Sequence, residues 1–195
     1  MTDSPEHDEA LVSAAQAGDQ ASFRILVERH AQRVFRVCFR ITRDEHLAED
    51  AVQEAFIQAH RKLSSFAGRA QFTTWLHRIA VNAALQQVRK RVQHREADSG
   101  PESRARLDAT TDGSPGPERQ AEGGLIRQRL TAALNELSDL ERAAFSLRHF
   151  EDMSIADICT ALRIDNGPCK QAIFRAVRKM RTALADFGGS HAHLE

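Results

Sequence analysis

The sequence has no tyrosine and a single tryptophan, and its apolar residues fall in short, interrupted runs. No stretch approaches the roughly 20 apolar residues that crossing a bilayer requires. The N-terminus carries Asp3, Glu6, Asp8 and Glu9 with no Lys or Arg before Arg24, the reverse of a secretory leader. Three cysteines, Cys38, Cys159 and Cys169, show no CxxC spacing and cannot all pair. A disulfide framework is therefore not expected, and the cytoplasm is the natural compartment. Each cysteine falls on an apolar stripe, so burial is favoured over thiol chemistry or sensing. Alternating β-branched segments are scarce, and the glycines concentrate in two clusters, so the chain reads as all-α. No Ser/His/Asp set, convergent carboxylate pair, Gly-rich phosphate loop or metal-ligand run stands out. The expectation is therefore a protein without enzymatic activity, cofactor or metal; His191 and His193 have no further ligands beside them.

A second absence is more telling. No acidic residue occurs between Glu54 and Glu96, whereas Arg61, Lys62, Arg69, Arg78, Arg89, Lys90, Arg91 and Arg95 all lie there. The formal net charge of zero hides this division: residues 21–90 hold twelve Lys/Arg against six Asp/Glu. Within it, Phe72, Trp75, Leu76, Ile79, Ala80 and Ala83 recur at helical spacing as one apolar stripe. Arg78, Asn82, Gln86 and Arg89 fall on a different face, with Thr74 and His77 beside them. A helix of one charge sign suits a polyanion, because binding exchanges condensed counterions for fixed positive charge; a solvated basic face is the other reading of the same residues.

Along the chain, a helix over about residues 6–17 should stop at Gly18, and Asp19 can cap the next. That second helix carries Phe23, Leu26, Val27, His30, Val34, Val37, Cys38 and Ile41 on its apolar stripe. A third, from about Asp44 to Leu63, turns Leu47, Ala51, Ala55 and Ala59 inward and Glu49, Asp50 and Gln53 outward. Together with the stretch above, these make a four-helix unit over residues 6–91. Residues 92–124 are punctuated by Gly and Pro and hold almost no large apolar side chains, the composition of a flexible linker. A second unit spans residues 125–186. Ser138 with Glu141 and Ser154 with Asp157 have capping spacing, and Leu140, Ala143, Ala144, Leu147 and Phe150 form an expected stripe between them. A short helix, a turn at residues 163–166 and a last helix burying Cys169, Ile173, Ala176, Val177, Met180 and Leu184 make a helix-turn-helix. Its other face holds Lys170, Gln171, Phe174, Arg175 and Arg178, residues that pair with base edges or meet a thymine methyl. Residues 187–195 form a tail.

Three segments in order carry a resemblance. AEDAVQEAF (48–56), FTTWLHRIAVNAAL (72–85) and LSDLERAAFSLRHFEDMSIADI followed by GPCKQAIFRAVRKMR resemble the extracytoplasmic-function (ECF, group IV) sigma factors of the sigma-70 family. The resemblance covers about residues 11–184 and implies a region 2 unit and a region 4 unit on either side of the linker. It implies a promoter-specificity subunit that binds core RNA polymerase, through Glu49, Asp50, Gln53 and Glu54 on the β′ clamp helices and through further contact with β. It implies that Phe66, Arg69, Gln71, Arg78, Asn82 and Arg89 meet the −10 element, with the 66–71 loop holding a flipped-out base. Lys170, Gln171, Phe174, Arg175 and Arg178 would read −35, and a separate anti-sigma factor would regulate the chain without membrane insertion of the chain itself. Pro168 and Cys169 stand where the family usually has Thr-Val, and Ala172 where a basic residue is common. The alternative is a stand-alone helix-turn-helix regulator, which predicts tight duplex binding by a dimer; no dimerisation heptad is evident.

Overall fold

The computed structural model describes residues 5–98 and 132–188, and those residues form helices and connecting turns without a strand. The expected linker from residue 99 onward, Leu125, Ile126, Leu130 and both tail histidines lie outside the described residues. α1 spans Pro5–Gln16, α2 Gln20–Thr42, α3 Glu45–Lys62 and α4 Phe72–Asp98. After helical residues 132–135 come α5 (Asp139–His149), α6 (Ile155–Leu162) and α7 (Asn166–Gly188).

The helix ends follow local chemistry. Gly18 closes α1 at φ +101, a conformation that costs a side-chain-bearing residue dearly. Asp19 then caps α2 by accepting from the Ala21 N–H, and Asp44 caps α3 by accepting from Leu47 N–H. Ser138 and Glu141 make the reciprocal capping box of α5, and Ser154 accepts from Asp157 N–H at the start of α6. α4 runs on to Asp98, past the boundary at residue 91 read from the sequence. Good helix formers continue there with no Gly or Pro before Gly100.

α4 is the hub. It packs on α1, α2 and α3, and its other side meets α6 of the second unit. Leu76, Ala80, Val81 and Ala84 are accordingly buried on more than one face. The fully buried positions of α3 are all alanine (Ala48, Ala51, Ala55 and Ala59), flanked by half-buried Val52 and Phe56, so α2 and α4 approach it closely; Leu47, expected inward, is only half-buried, and Ala48 takes the covered position instead.

Two further placements differ from the sequence reading. In α5, Leu140 and Phe150 are exposed, while Glu141, Arg142 and Ser146 are buried with Ala143, Ala144 and Leu147. The reason is a second neighbour: α5 is pressed between α7 and α2, so two faces are covered instead of one. His77, expected beside the outward basic face of α4, is buried. In α7, Cys169, Ala176 and Met180 are buried as expected, Ile173 and Val177 are half-buried, and the side chain of Leu184 lies outside the described ones.

The two units share one apolar core, which runs from Leu26, Val34 and Leu76 to Leu147, Ile158 and Cys169. Arg142 is central to the joint. Its guanidinium donates to Leu137 O at 2.7 Å, to Leu134 O at 3.3 Å and, across the units, to Ile41 O at 2.9 Å. The last carbonyls of α2 have no partner within their own helix, so a buried cation there satisfies one and complements the helix dipole.

Candidate nucleic-acid interface

The loop between α3 and α4 is shaped from both ends. A single 3-10 turn, Leu63–Ser65, follows α3, and Gly68 takes φ +66. From α1, Gln16 Nε2 donates to Leu63 O and Phe66 O, each at 2.8 Å, and ties the loop to the bundle. Phe66 folds back on Trp75 and Phe72, with ring centroids 5.0 and 6.0 Å away. Trp75 is thus half-buried under the loop, neither fully core nor open to solvent.

Beside this aromatic cluster lies a cavity of about 380 Å³. Phe66, Gly68, Gln71, Thr73, Thr74 and His77 line it from the loop and α4, Arg33 from α2, Asp8 and Glu9 from α1, and Glu151 from the second unit. Of the six residues assigned to −10 from the sequence, Phe66 and Gln71 therefore reach one cavity, and Arg69 stands exposed on the loop outside its lining. Arg78 and Asn82 lie half-buried further along α4, and Arg89 is exposed two turns beyond. Asn82 is already engaged: its Nδ2 donates to Arg78 O at 2.6 Å and to Ala161 O of α6 at 2.9 Å.

On α3, Glu49, Asp50 and Gln53 are exposed side by side. Glu54 is half-buried and accepts from Gln58 Nε2 at 2.8 Å, which sets it apart from the other three.

On α7, Lys170, Gln171, Phe174, Arg175 and Arg178 are exposed on one face, and Phe174 is 67% accessible. A groove of about 480 Å³ runs along this face, between Lys170, Phe174 and Arg178 and the end of α5 at Arg148 and His149. Lys179, the neighbouring cation, serves the fold: its Nζ donates to Glu136 O at 2.9 Å and to Glu141 at 2.7 Å. Ala172, where a basic residue is common in the family, is buried and so contributes packing. Phe174 cannot be explained by the core, and an exposed ring among cations is costly to leave in water.

Comparison with known proteins gives this arrangement its context. Residues 26–93 match the family model described as sigma-70 region 2, and residues 127–180 match that described as sigma-70, region 4. The chain is 32% identical to the RNA polymerase sigma-H factor of Pseudomonas aeruginosa, over 92% of this chain and 94% of that protein. It is also 32% identical to the ECF RNA polymerase sigma-E factor of Escherichia coli, over 87% of this chain and 90% of that one. The chain belongs to the ECF sigma factors of the sigma-70 family. Among solved structures, this sigma factor shares its fold with the sigma factor RpoE in complex with the anti-sigma factor NepR from Bartonella quintana, at TM-score 0.66 and 23% identity over 84% of this chain and 96% of that one. CnrH in complex with the cytosolic domain of CnrY gives TM-score 0.62 at 23% identity, over 92% of this chain and 97% of that one.

One cluster in this sigma factor escaped the sequence reading. Glu151, in the turn after α5, accepts from Arg33 Nε at 2.9 Å and from Arg40 Nη1 at 3.1 Å, and His77 Nδ1 lies 3.4 Å from it. Burial, with Arg33, His30 and Arg40 adding positive charge nearby, drives His77 down to about 3, so its ring is neutral at pH 7. Arg33 and Arg40 are two turns apart on α2, which was the only sequence signal. Nothing local names an acid more than a hundred positions away as their partner.

Proposed function

We propose that this sigma factor directs promoter-specific initiation by core RNA polymerase and does so without catalysis of its own. The supporting observation is the exposed face of α7, where Lys170, Gln171, Phe174, Arg175 and Arg178 stand together on the second helix of a helix-turn-helix. In this reading that face enters the major groove at −35, where Arg and Gln make paired bonds to base edges. Glu49, Asp50, Gln53 and Glu54 dock on the β′ clamp helices, with β completing the polymerase contact. The cavity beside Phe66 and Gln71 receives a flipped-out −10 base, and Arg69, Arg78, Asn82 and Arg89 follow the melted strand. Extruding that base costs a few kcal/mol, which aromatic contact and positive charge offset.

The domain assignment follows the same reading, with the helix ends of the structure as its inner bounds: residues 6–98 as region 2, 99–124 as a linker, 125–188 as region 4 and the residues after it as a tail. Polymerase sets the separation of the two DNA-reading units, so that the second promoter contact becomes intramolecular. The chain works in the cytoplasm, and a separate anti-sigma protein holds it in check.

The test is reconstitution. The purified chain is mixed with core polymerase and a promoter library, and transcript starts are sequenced. A common −35/−10 pair upstream of the starts is expected. Arg175→Ala should lose about 1–3 kcal/mol of discrimination at one −35 position. Tight, symmetric duplex binding by the chain alone, with no effect on polymerase, would overturn the reading.

A further inference from the structure

The turn that carries Glu151 is built firmly within its own unit. Asp152 takes φ 50, Met153 N–H donates to Leu147 O at 3.0 Å, and Arg148 donates to Met153 O at 3.0 Å. Held this way, Glu151 reaches across to the first unit, where only 3% of its side chain remains accessible. Arg33 and Arg40 each grip one carboxylate oxygen, and neither pairs with another acid among the described residues. The Arg40 guanidinium also lies 4.0 Å over the ring of Phe150, the residue next to Glu151. Two guanidiniums and a buried imidazole with an unpartnered Nε2 thus surround one anion.

The neighbouring cavity shares Arg33, His77 and Glu151 with this nest. Asp8 and Glu9 line it as well, so in the closed arrangement its charge opposes a phosphate. The same closure brings α6 against α4 and occupies Asn82 with Ala161 O. A phosphodiester carries one negative charge, as Glu151 does. Exchanging one for the other keeps both guanidiniums paired, whereas opening without an anion gives up the charge-assisted hydrogen bonds that Arg33 and Arg40 make to Glu151.

We infer that Arg33, Arg40 and His77 form a binding site for a phosphate of the single-stranded promoter strand, and that Glu151 occupies it as an internal surrogate that keeps region 4 shut on region 2. This rests on the functional reading above and deepens it. Strand binding and interdomain opening are then one equilibrium, in which the apparent affinity for DNA falls by the fraction of chain that is open.

The experiment uses the full chain and a fluorescein-labelled single-stranded 12-mer of random sequence, because a phosphate contact is indifferent to bases. Glu151→Gln keeps the shape of the side chain and removes its charge; Glu28→Gln, on the exposed face of α2, removes the same charge elsewhere. Binding to Glu151→Gln should tighten by about fivefold or more over Glu28→Gln. Its dependence on salt should steepen by roughly 0.7 in log–log slope per phosphate engaged. Adding Arg33→Ala and Arg40→Ala should cancel the gain, and small-angle scattering should show an enlarged radius of gyration for Glu151→Gln. If the radius grows while affinity stays within about twofold of Glu28→Gln, the phosphate site is refuted. If neither changes, the latch is refuted as well. Should Glu151→Gln lose helical content, Glu151→Asp carries the test, with a smaller rise of the same sign expected and no rise counting against the site. Promoter-directed transcription by the unmodified chain is scored separately: its absence sinks the functional reading, and its presence with an inert Glu151→Gln sinks this inference alone.

Discussion

Replacing Arg142 by methionine is the most searching test of how the two units are joined. The guanidinium satisfies Leu137 O, Leu134 O and Ile41 O from a buried position, with Asp139 Oδ1 3.4 Å away. A hydrogen bond to a charged group contributes about 1.5–3 kcal/mol, and a buried carbonyl left without a donor costs about 1–3 kcal/mol. Against this, methionine relieves the cost of burying the cation and retains much of its apolar stem. The balance is a loss of about 2–4 kcal/mol. With a urea slope of roughly 2 kcal/mol/M for a protein of this size, the unfolding midpoint should fall by about 1–2 M. Arg142→Lys should recover less than half, because a single ammonium cannot span three carbonyls in the geometry of a planar fork. Hydrogen exchange adds a local readout: the amides in the last turn of α2, including Arg43 N–H bonded to Phe39 O, should exchange faster once Ile41 O loses its partner. A midpoint shift below about 0.3 M would show that Arg142 is not the joint described here.

The alanine face of α3 leaves no room for a larger side chain, so Ala55→Leu should destabilise the chain by about 1–3 kcal/mol in urea; an unchanged midpoint would mean that α2 and α4 do not close on it. His77 has a native value near 3 against about 6.5 unfolded, so the unfolded chain takes up the proton first and stability falls as pH drops through that window. Between pH 7.5 and 5.5 the loss should be on the order of 1 kcal/mol, read from urea midpoints, and His77→Gln should flatten the profile with Asp8 and His30 left in place. Burial pushes Cys38 up to about 12, and burial together with the neighbouring Cys159 pushes Cys169 up to about 11. Both should resist iodoacetamide at pH 7.5 until denaturant is added, while half-buried Cys159 reacts sooner by mass spectrometry; rapid native labelling of Cys38 or Cys169 would reopen thiol sensing.

Much of the architecture could be read one helix at a time. Asp19, Asp44, Ser138 and Ser154 announce their helix starts because capping involves residues two or three apart. The solvent-facing set on α7 likewise follows from helical spacing and from having one packed face. Where a helix has two packed faces the reading slips. Leu140 and Phe150 were assigned inward on a single-stripe assumption, and α2 supplies the second wall that turns Arg142 and Ser146 into buried residues.

By itself the sequence determined an all-α chain of two helical units, where most helices begin, and which residues of α7 meet solvent, because those properties depend on neighbours within a turn or two. Only the tertiary structure decided that Glu151 sits between Arg33, Arg40 and His77, that Asn82 is covered by α6, and that Arg142 caps α2. Those contacts join positions from about seventy to more than a hundred residues apart, and their energies come from burial and charge pairing that exist only after both units have folded and met.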